Sequence, residues 1–297
     1  MARRTPPARL VDLHVKWLWQ YAPEVSLYDP AVVAAVPGRL PQVAGYLSDT
    51  AAAVVMLGGW PAAADPWAAL AEDLARLAAE FCGRLLRDPA DAARWRAEGA
   101  GGLAWATPGV AGLDRLVRTP DDLDRLPAAL DRLRVVQLAP GPDGPLADGT
   151  GLTPLGAAAL DALARAGTAG RPVAVELAGL APPARRAVRD RLGPGLVPLY
   201  CEAAAPGPDP APLPAEDAAW IASAGGLVAA RPGSAVPPGG ALATNFLGRD
   251  LAPGEPADAE GVLRWAADAL DPAEAPEVVA GRAGALLARL AGASGPA

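Results

Sequence analysis

The chain has 297 residues, of which 52% are hydrophobic and 20% charged, and a formal net charge of −7. That apolar fraction excludes a disordered chain, and the uninterrupted apolar runs stop well short of the roughly 18 residues that span a bilayer, so no membrane span is expected. Acidic and basic residues are interspersed, which excludes the segregated basic face expected of a partner of nucleic acid or anionic lipid.

The first predicted element is a strand over residues 10–18, and it carries the one histidine and the one lysine of the chain. Side chains of a strand alternate, so Asp12, His14 and Lys16 share a face. The segment before it, Met1-Ala2-Arg3-Arg4-Thr5-Pro6-Pro7, is basic but is followed by no apolar stretch of the kind that an export signal needs. A cytoplasmic protein is the expectation. The two cysteines, Cys82 and Cys201, form no C-x-x-C pair, so neither a disulfide framework nor a thiolate zinc knuckle is indicated.

Strand 52–57 follows, then a helix over 67–86 with Leu70, Leu74, Leu77 and Phe81 on one face. A third strand is predicted over 102–107, and a helix over 121–133 in which Pro127 either kinks the helix or opens its first turn. Strand 134–139 leads into a Pro/Gly-rich loop over 140–150. Thr153-Pro154 supplies an N-cap and a proline at the first helical position, and Gly167 ends that helix. Strand 172–178, helix 181–192, strand 196–202, the Pro-rich loop 203–214, helix 215–224, and strands 226–230 and 241–246 continue the alternation. Helices 259–269 and 275–290 close it.

Eight short apolar strands alternating with amphipathic helices predict an α/β chain folded as a (β/α)8 TIM barrel. It is read as one domain over residues 1–297, with a short disordered N-terminal arm (1–9) and C-terminal tail (291–297). An open doubly wound sheet is the alternative, but no G-x-G-x-x-G follows the first strand to mark a dinucleotide site. Barrel chemistry collects where the strands end. Those ends bring forward Asp12, His14 and Lys16, Thr107, Glu176 with Gly179, Glu202 and Asn245. A hydrolytic centre that activates water with metal needs several His, Asp or Glu ligands, and Lys16 repels a cation beside His14. No two-zinc centre is expected from this set.

Several stretches, in this order, resemble the membrane dipeptidase (renal dipeptidase) family of zinc peptidases over nearly the whole chain. Gly151-Leu152-Thr153-Pro154-Leu155-Gly156 is similar to the family's Gly-Leu-Thr-x-x-Gly helix start, and Pro172-Val173-Ala174-Val175-Glu176-Leu177 to the Asp-x-Ser-His strand after it. Residues 88–107 resemble the segment that leads to its bridging glutamate. Thr244-Asn245-Phe246-Leu247-Gly248 resembles its Ser-Asp-Phe-Asp-Gly turn, and Ala280-Gly281-Arg282-Ala283-Gly284 stands where it has Gly-Gly-Asn. The resemblance implies a metallo-dependent hydrolase barrel, with zinc and dipeptide hydrolysis in the family. Position by position, it implies mostly losses in this chain. His14 keeps the first ligand of the family's His-x-Asp, Lys16 replaces the second, and the bridging glutamate falls near Thr107. The later ligand histidines fall at about Gly179 and Glu202, the proton-handling aspartate falls at Asn245, and no arginine in 203–214 is placed to hold a dipeptide carboxylate.

Three functional readings follow. In the first, the barrel has lost its binuclear zinc centre and its dipeptidase activity and serves as a ligand-binding or scaffold pseudoenzyme. Lys16 then replaces the lost metal charge, with Glu202 as its ion-pair partner. In the second, Glu202, Glu176, Asp12 and His14 hold one weakly bound ion and hydrolyse dipeptides. In the third, Lys16 is a desolvated amine for metal-free Schiff-base chemistry. The catalytic candidates are Lys16, Glu202 and Asn245, and the ligand-binding candidates are Asp12, His14, Lys16, Thr107, Glu176, Glu202 and Asn245. No metal is expected, His14 and Glu202 being the residual metal-ligand candidates. No cofactor is expected, save zinc under the second reading. The expected partner is a small molecule or peptide at the barrel mouth, with no nucleic acid and no membrane, and a homodimer remains open. Cys201 in its strand reads as a small hydrophobe rather than a nucleophile, and Trp17, Trp19 and Trp105 read as packing or loop anchors before ligand stacking.

Overall fold

The computed structural model describes residues 9–15, 49–58, 65–98, 104–139, 141, 143–202, 213–244, 256 and 259–293. Its main sheet has eight strands: β1 (Leu10–Val15), β2 (Thr50–Leu57), β3 (Trp105–Ala111), β4 (Val135–Gln137), β5 (Val173–Glu176), β6 (Leu196–Cys201), β7 (Leu227–Ala230) and β8 (Ala241–Leu242). Their spatial order is their sequence order, and each neighbouring pair is parallel. That order is the one a right-handed β–α crossover generates when repeated in one direction. It rules out the doubly wound alternative, in which the strand order reverses at a switch point.

Helices α1 (Pro66–Glu80), α2 (Pro89–Glu98), α3 (Leu126–Leu130), α4 (Pro154–Ala166), α5 (Pro182–Arg191), α6 (Ala215–Ser223), α7 (Ala259–Ala269) and α8 (Arg282–Leu290) complete the (β/α)8 barrel. Both faces of the strands are covered. On β5, Val173 and Val175 join an apolar cluster with Leu70, Leu74, Leu160 and Leu163 of the helices, while Ala174 joins a second cluster with Val54, Met56, Val197, Leu199 and Ala241. This is why the strands read as continuous apolar runs rather than as alternating ones. No helix among the described residues is long and apolar enough to cross a membrane.

The elements depart from expectation in several places. Strand β3 runs from Trp105 to Ala111, past the predicted end at residue 107 and through Pro108-Gly109. The Pro108 carbonyl accepts from Arg134 N at 3.0 Å, so the missing proline N–H faces the level before β4 begins and no ladder bond is lost. Gly109 suits that position, because an added Cβ would meet Met56 Sδ and press on Val135. Helix α1 stops at Glu80, six residues before the predicted end at 86, since Cys82 and Gly83 adopt left-handed φ of 51° and 75°. Helix α2 was not foreseen, and a short antiparallel hairpin, Ala147–Asp148 with Gly151–Leu152, forms where a loop was expected. The last predicted helix begins with a wide π turn, Glu277–Gly281, before α8. The predicted helix 121–133 divides into a 3-10 helix, Pro120–Arg125, and α3, whose first turn Pro127 opens.

Asp12 fastens the last strand to the first. Its Oδ1 accepts from Thr244 N at 3.0 Å and from His14 N at 3.0 Å, and its Oδ2 accepts from the Thr244 hydroxyl. All three residues are buried. Thr244 lies two residues beyond β8, so this carboxylate ties the two ends of the sheet together.

Candidate functional site

Three side chains from separate strands meet in the barrel. His14 lies near the end of β1, Glu176 ends β5 and Cys201 ends β6; each offers one ligand-type atom, and these atoms lie within 4.8 Å of one another. Cys201 is wholly buried, as is Glu176, and His14 is 1% exposed. The parallel register accounts for the meeting. Glu176 pairs with Leu199, which puts Cys201 two residues further along β6, and Cys201 N donates to Glu176 Oε1 at 3.0 Å. Ala178 N donates to the same oxygen at 2.9 Å. One carboxylate oxygen is thereby fixed by two backbone donors, while Oε2 has no hydrogen-bond partner.

Burial governs the electrostatics here. It raises the Glu176 pKa above the usual carboxylate range, although the Cys201 thiol and the backbone N–H groups around it favour the charged form. Burial also pushes the Cys201 thiol well up, and the neighbouring Glu176 and Asp12 carboxylates add to that. A thiol held in its neutral form is not a nucleophile, which agrees with reading Cys201 as a small buried hydrophobe. Tyr200, on the other side of β6, is pushed up to about 12, first by burial and then by Glu176. Gln137 ends β4 in register with Glu176, and its Nε2 donates to the Ala178 carbonyl at 3.0 Å, bracing the turn after β5.

The other residues singled out from the sequence scatter. Asp12 is close by, but its oxygens serve barrel closure. Thr107 is buried and its hydroxyl lacks a partner, yet it lies four residues before Ala111, the β3 position in register with Gln137. Glu202 follows β6 partly buried, and its Oε2 accepts from Arg231 N at 3.1 Å just beyond β7. Gly179 sits in the turn after β5 with φ of 93°. Trp105 opens β3 at its N-terminal end, 1% exposed; its indole N–H donates to Glu98 at 3.1 Å and the Arg94 guanidinium lies over its ring at 5.4 Å, so it anchors α2. Lys16, Asn245, Trp17 and Trp19 lie outside the described residues, and so does the Lys16–Glu202 pairing. Gln137 is the site residue that sequence reasoning passed over, and Cys201, read there as a small hydrophobe, is the one it did not connect with Glu176. A strand-terminal position was the signal for each, and the apolar flanks of Cys201 concealed it.

Metal chemistry can be judged from this donor set. A binuclear centre holds two ions about 3.5–4 Å apart, which calls for a bridging group and more ligands than three. Among the described residues a single group of His, Cys, Asp or Glu could hold an ion, and it has three members. Two ions do not fit it; one does.

Neither a protein-family model nor a curated protein matches the chain. Solved structures do. A dipeptidase described as a metallopeptidase of family M19 superposes with a TM-score of 0.67 at 17% identity, covering 97% of this chain and 100% of the other. A metallopeptidase from Rhodobacter sphaeroides, bound to a phosphinate mimic of the dipeptide L-Ala-D-Ala, gives 0.65 at 17% identity over 96% and 99%. An amidohydrolase from Pseudomonas aeruginosa gives 0.58 at 11% identity over 96% and 97%. At such identities the likeness speaks for the fold and not for the reaction. The chain has the (β/α)8 barrel fold of the membrane-dipeptidase-like metallopeptidases of family M19.

Proposed function

We propose that this barrel has lost the binuclear zinc centre and the dipeptide hydrolysis of the family it resembles, and that it works as a binding or scaffold protein for a small molecule or peptide at the strand ends. The observation that carries this reading is the donor set: one histidine, one buried acid and one neutral thiol, with Asp12 committed to closing the barrel. Removing two cations from a barrel mouth leaves anionic ligands that repel one another, so a descendant has to delete them or neutralise them. Glu176, biased by burial towards its protonated form, is one such neutralised acid. A solved neighbour holds a mimic of L-Ala-D-Ala, which makes that dipeptide the first probe.

The test pairs elemental analysis of the purified protein with assays of L-Ala-D-Ala hydrolysis and binding, with and without added zinc. No turnover in either condition, with calorimetric binding of the intact dipeptide or a related small molecule, supports the reading. Two zinc ions per chain together with turnover would overturn it in favour of a dipeptidase with an aberrant site.

A further inference from the structure

His14, Glu176 and Cys201 come from β1, β5 and β6 and present a nitrogen, an oxygen and a sulfur within 4.8 Å of one another. Four-coordinate zinc holds such donors at about 2.0–2.3 Å, which sets them about 3.3–3.8 Å apart, so closing the present arrangement on an ion takes side-chain shifts of about an ångström or less. Glu176 Oε2 is a buried polar atom without a hydrogen bond, while its companion oxygen is pinned by Ala178 N and Cys201 N. A buried acceptor left unsatisfied is costly, and a cation is a partner that satisfies it. Charge balance points the same way. A dication, a thiolate, a carboxylate and a neutral imidazole sum to zero, the condition under which an ion tolerates burial.

We propose that His14, Glu176 and Cys201 form a mononuclear site for a borderline-soft divalent cation of the zinc class. One imidazole, one carboxylate and one thiolate suit that class better than the all-oxygen shells of magnesium or calcium. On binding, the Cys201 thiol, whose sulfur lies 3.7 Å from the Leu13 carbonyl oxygen and beside the Glu176 carboxylate, exchanges its S–H bond for a sulfur–metal bond. Its proton leaves to solvent, as does any proton on Glu176. The site asks for one ion and for no hydrolysis, and it rests on the same donor set from which the loss of the binuclear centre is argued.

The experiment is a titration of the chelator-treated full chain with Co2+, read by absorption. One equivalent bound with a thiolate-to-cobalt charge-transfer band is expected. Cys201→Ser abolishes the band, Glu176→Gln weakens affinity about tenfold or more, and Cys82→Ser, at an exposed position, changes neither. X-ray absorption on the zinc-loaded parent needs no variant and is expected to show one sulfur at about 2.3 Å. Absence of bound cobalt, a band that survives Cys201→Ser, or a zinc shell without sulfur would overturn the site. Dipeptide turnover with two ions would instead overturn the loss of hydrolysis, and the sulfur signal would still decide this site by itself.

Discussion

Glu176 shows how one residue gives the barrel a pH dependence. Its folded pKa is raised by burial, whereas in the unfolded chain a glutamate titrates near about 4.3. Between those two values the folded protein keeps a proton that the unfolded chain has released, so stability falls as pH rises; below about 4.3 the contribution is fully present. Glu176→Gln keeps an oxygen for Ala178 N and Cys201 N and removes the titration. In urea denaturation with chelator present, the stability of the variant relative to the parent is expected to improve as pH rises from about 4.3 through the raised folded pKa of Glu176, and to level off above it. A difference that stays flat across that range would contradict the assignment. At this scale the sequence was informative where a residue type was rare. His14 stood out by being unique, and Glu176 by ending an apolar run. Cys201 did not stand out, because a thiol at the end of Leu-Val-Pro-Leu-Tyr reads as one more core residue until the β5–β6 register sets it against Glu176.

Helix α4 tests packing against propensity. Gly156 lies in its first turn, where its N–H is capped by the Thr153 hydroxyl at 3.0 Å, and an added Cβ would overlap the Leu146 backbone carbonyl. Alanine gains about 1 kcal/mol over glycine inside a helix, but overpacking against backbone that cannot move aside costs about 1–3 kcal/mol. The contact wins. Gly156→Ala is expected to lower stability in denaturant titrations, and a gain would mean that α4 slides freely over the hairpin. Thr153-Pro154 and Gly167 made this helix legible in sequence, because capping chemistry is local. Helix α2 was not legible. It buries only Asp91 and Ala92 below the burial that periodicity detects, and its start depends on Asp88 accepting from Asp91 N at 2.9 Å. Strand β3 was displaced in the reading for a related reason. Pro108 and Gly109 are strand breakers in general, and only the positions of β4 and Met56 make them fit here.

The whole barrel depends on a joint that no local pattern announces. Neighbouring strands from β1 to β8 are held by parallel ladders, and across the remaining gap Asp12 reaches Thr244, 232 residues away in sequence. Spacing alone placed Asp12 beside His14 and suggested a shared ligand; the fold uses it first to close the ring. Asp12→Ala leaves Thr244 N and His14 N without their acceptor inside the protein, and losing charged hydrogen bonds at a buried site costs about 3 kcal/mol or more. Asp12→Asn retains an acceptor for the two backbone donors, and its amide can donate to the Thr244 hydroxyl, so roughly half of that loss or less is expected. Hydrogen exchange distinguishes a joint from a merely buried acid. With Asp12→Ala, protection is expected to fall in residues 12–15 and 241–244 well before it falls at the β4–β5 pairing on the far side. Loss that is uniform around the barrel would mean that the ring is held by its helices and that the carboxylate only fills space. Loss confined to the two seam strands would show that closure is a separable step, and that His14 is held in place against Glu176 and Cys201 by the residue two positions before it.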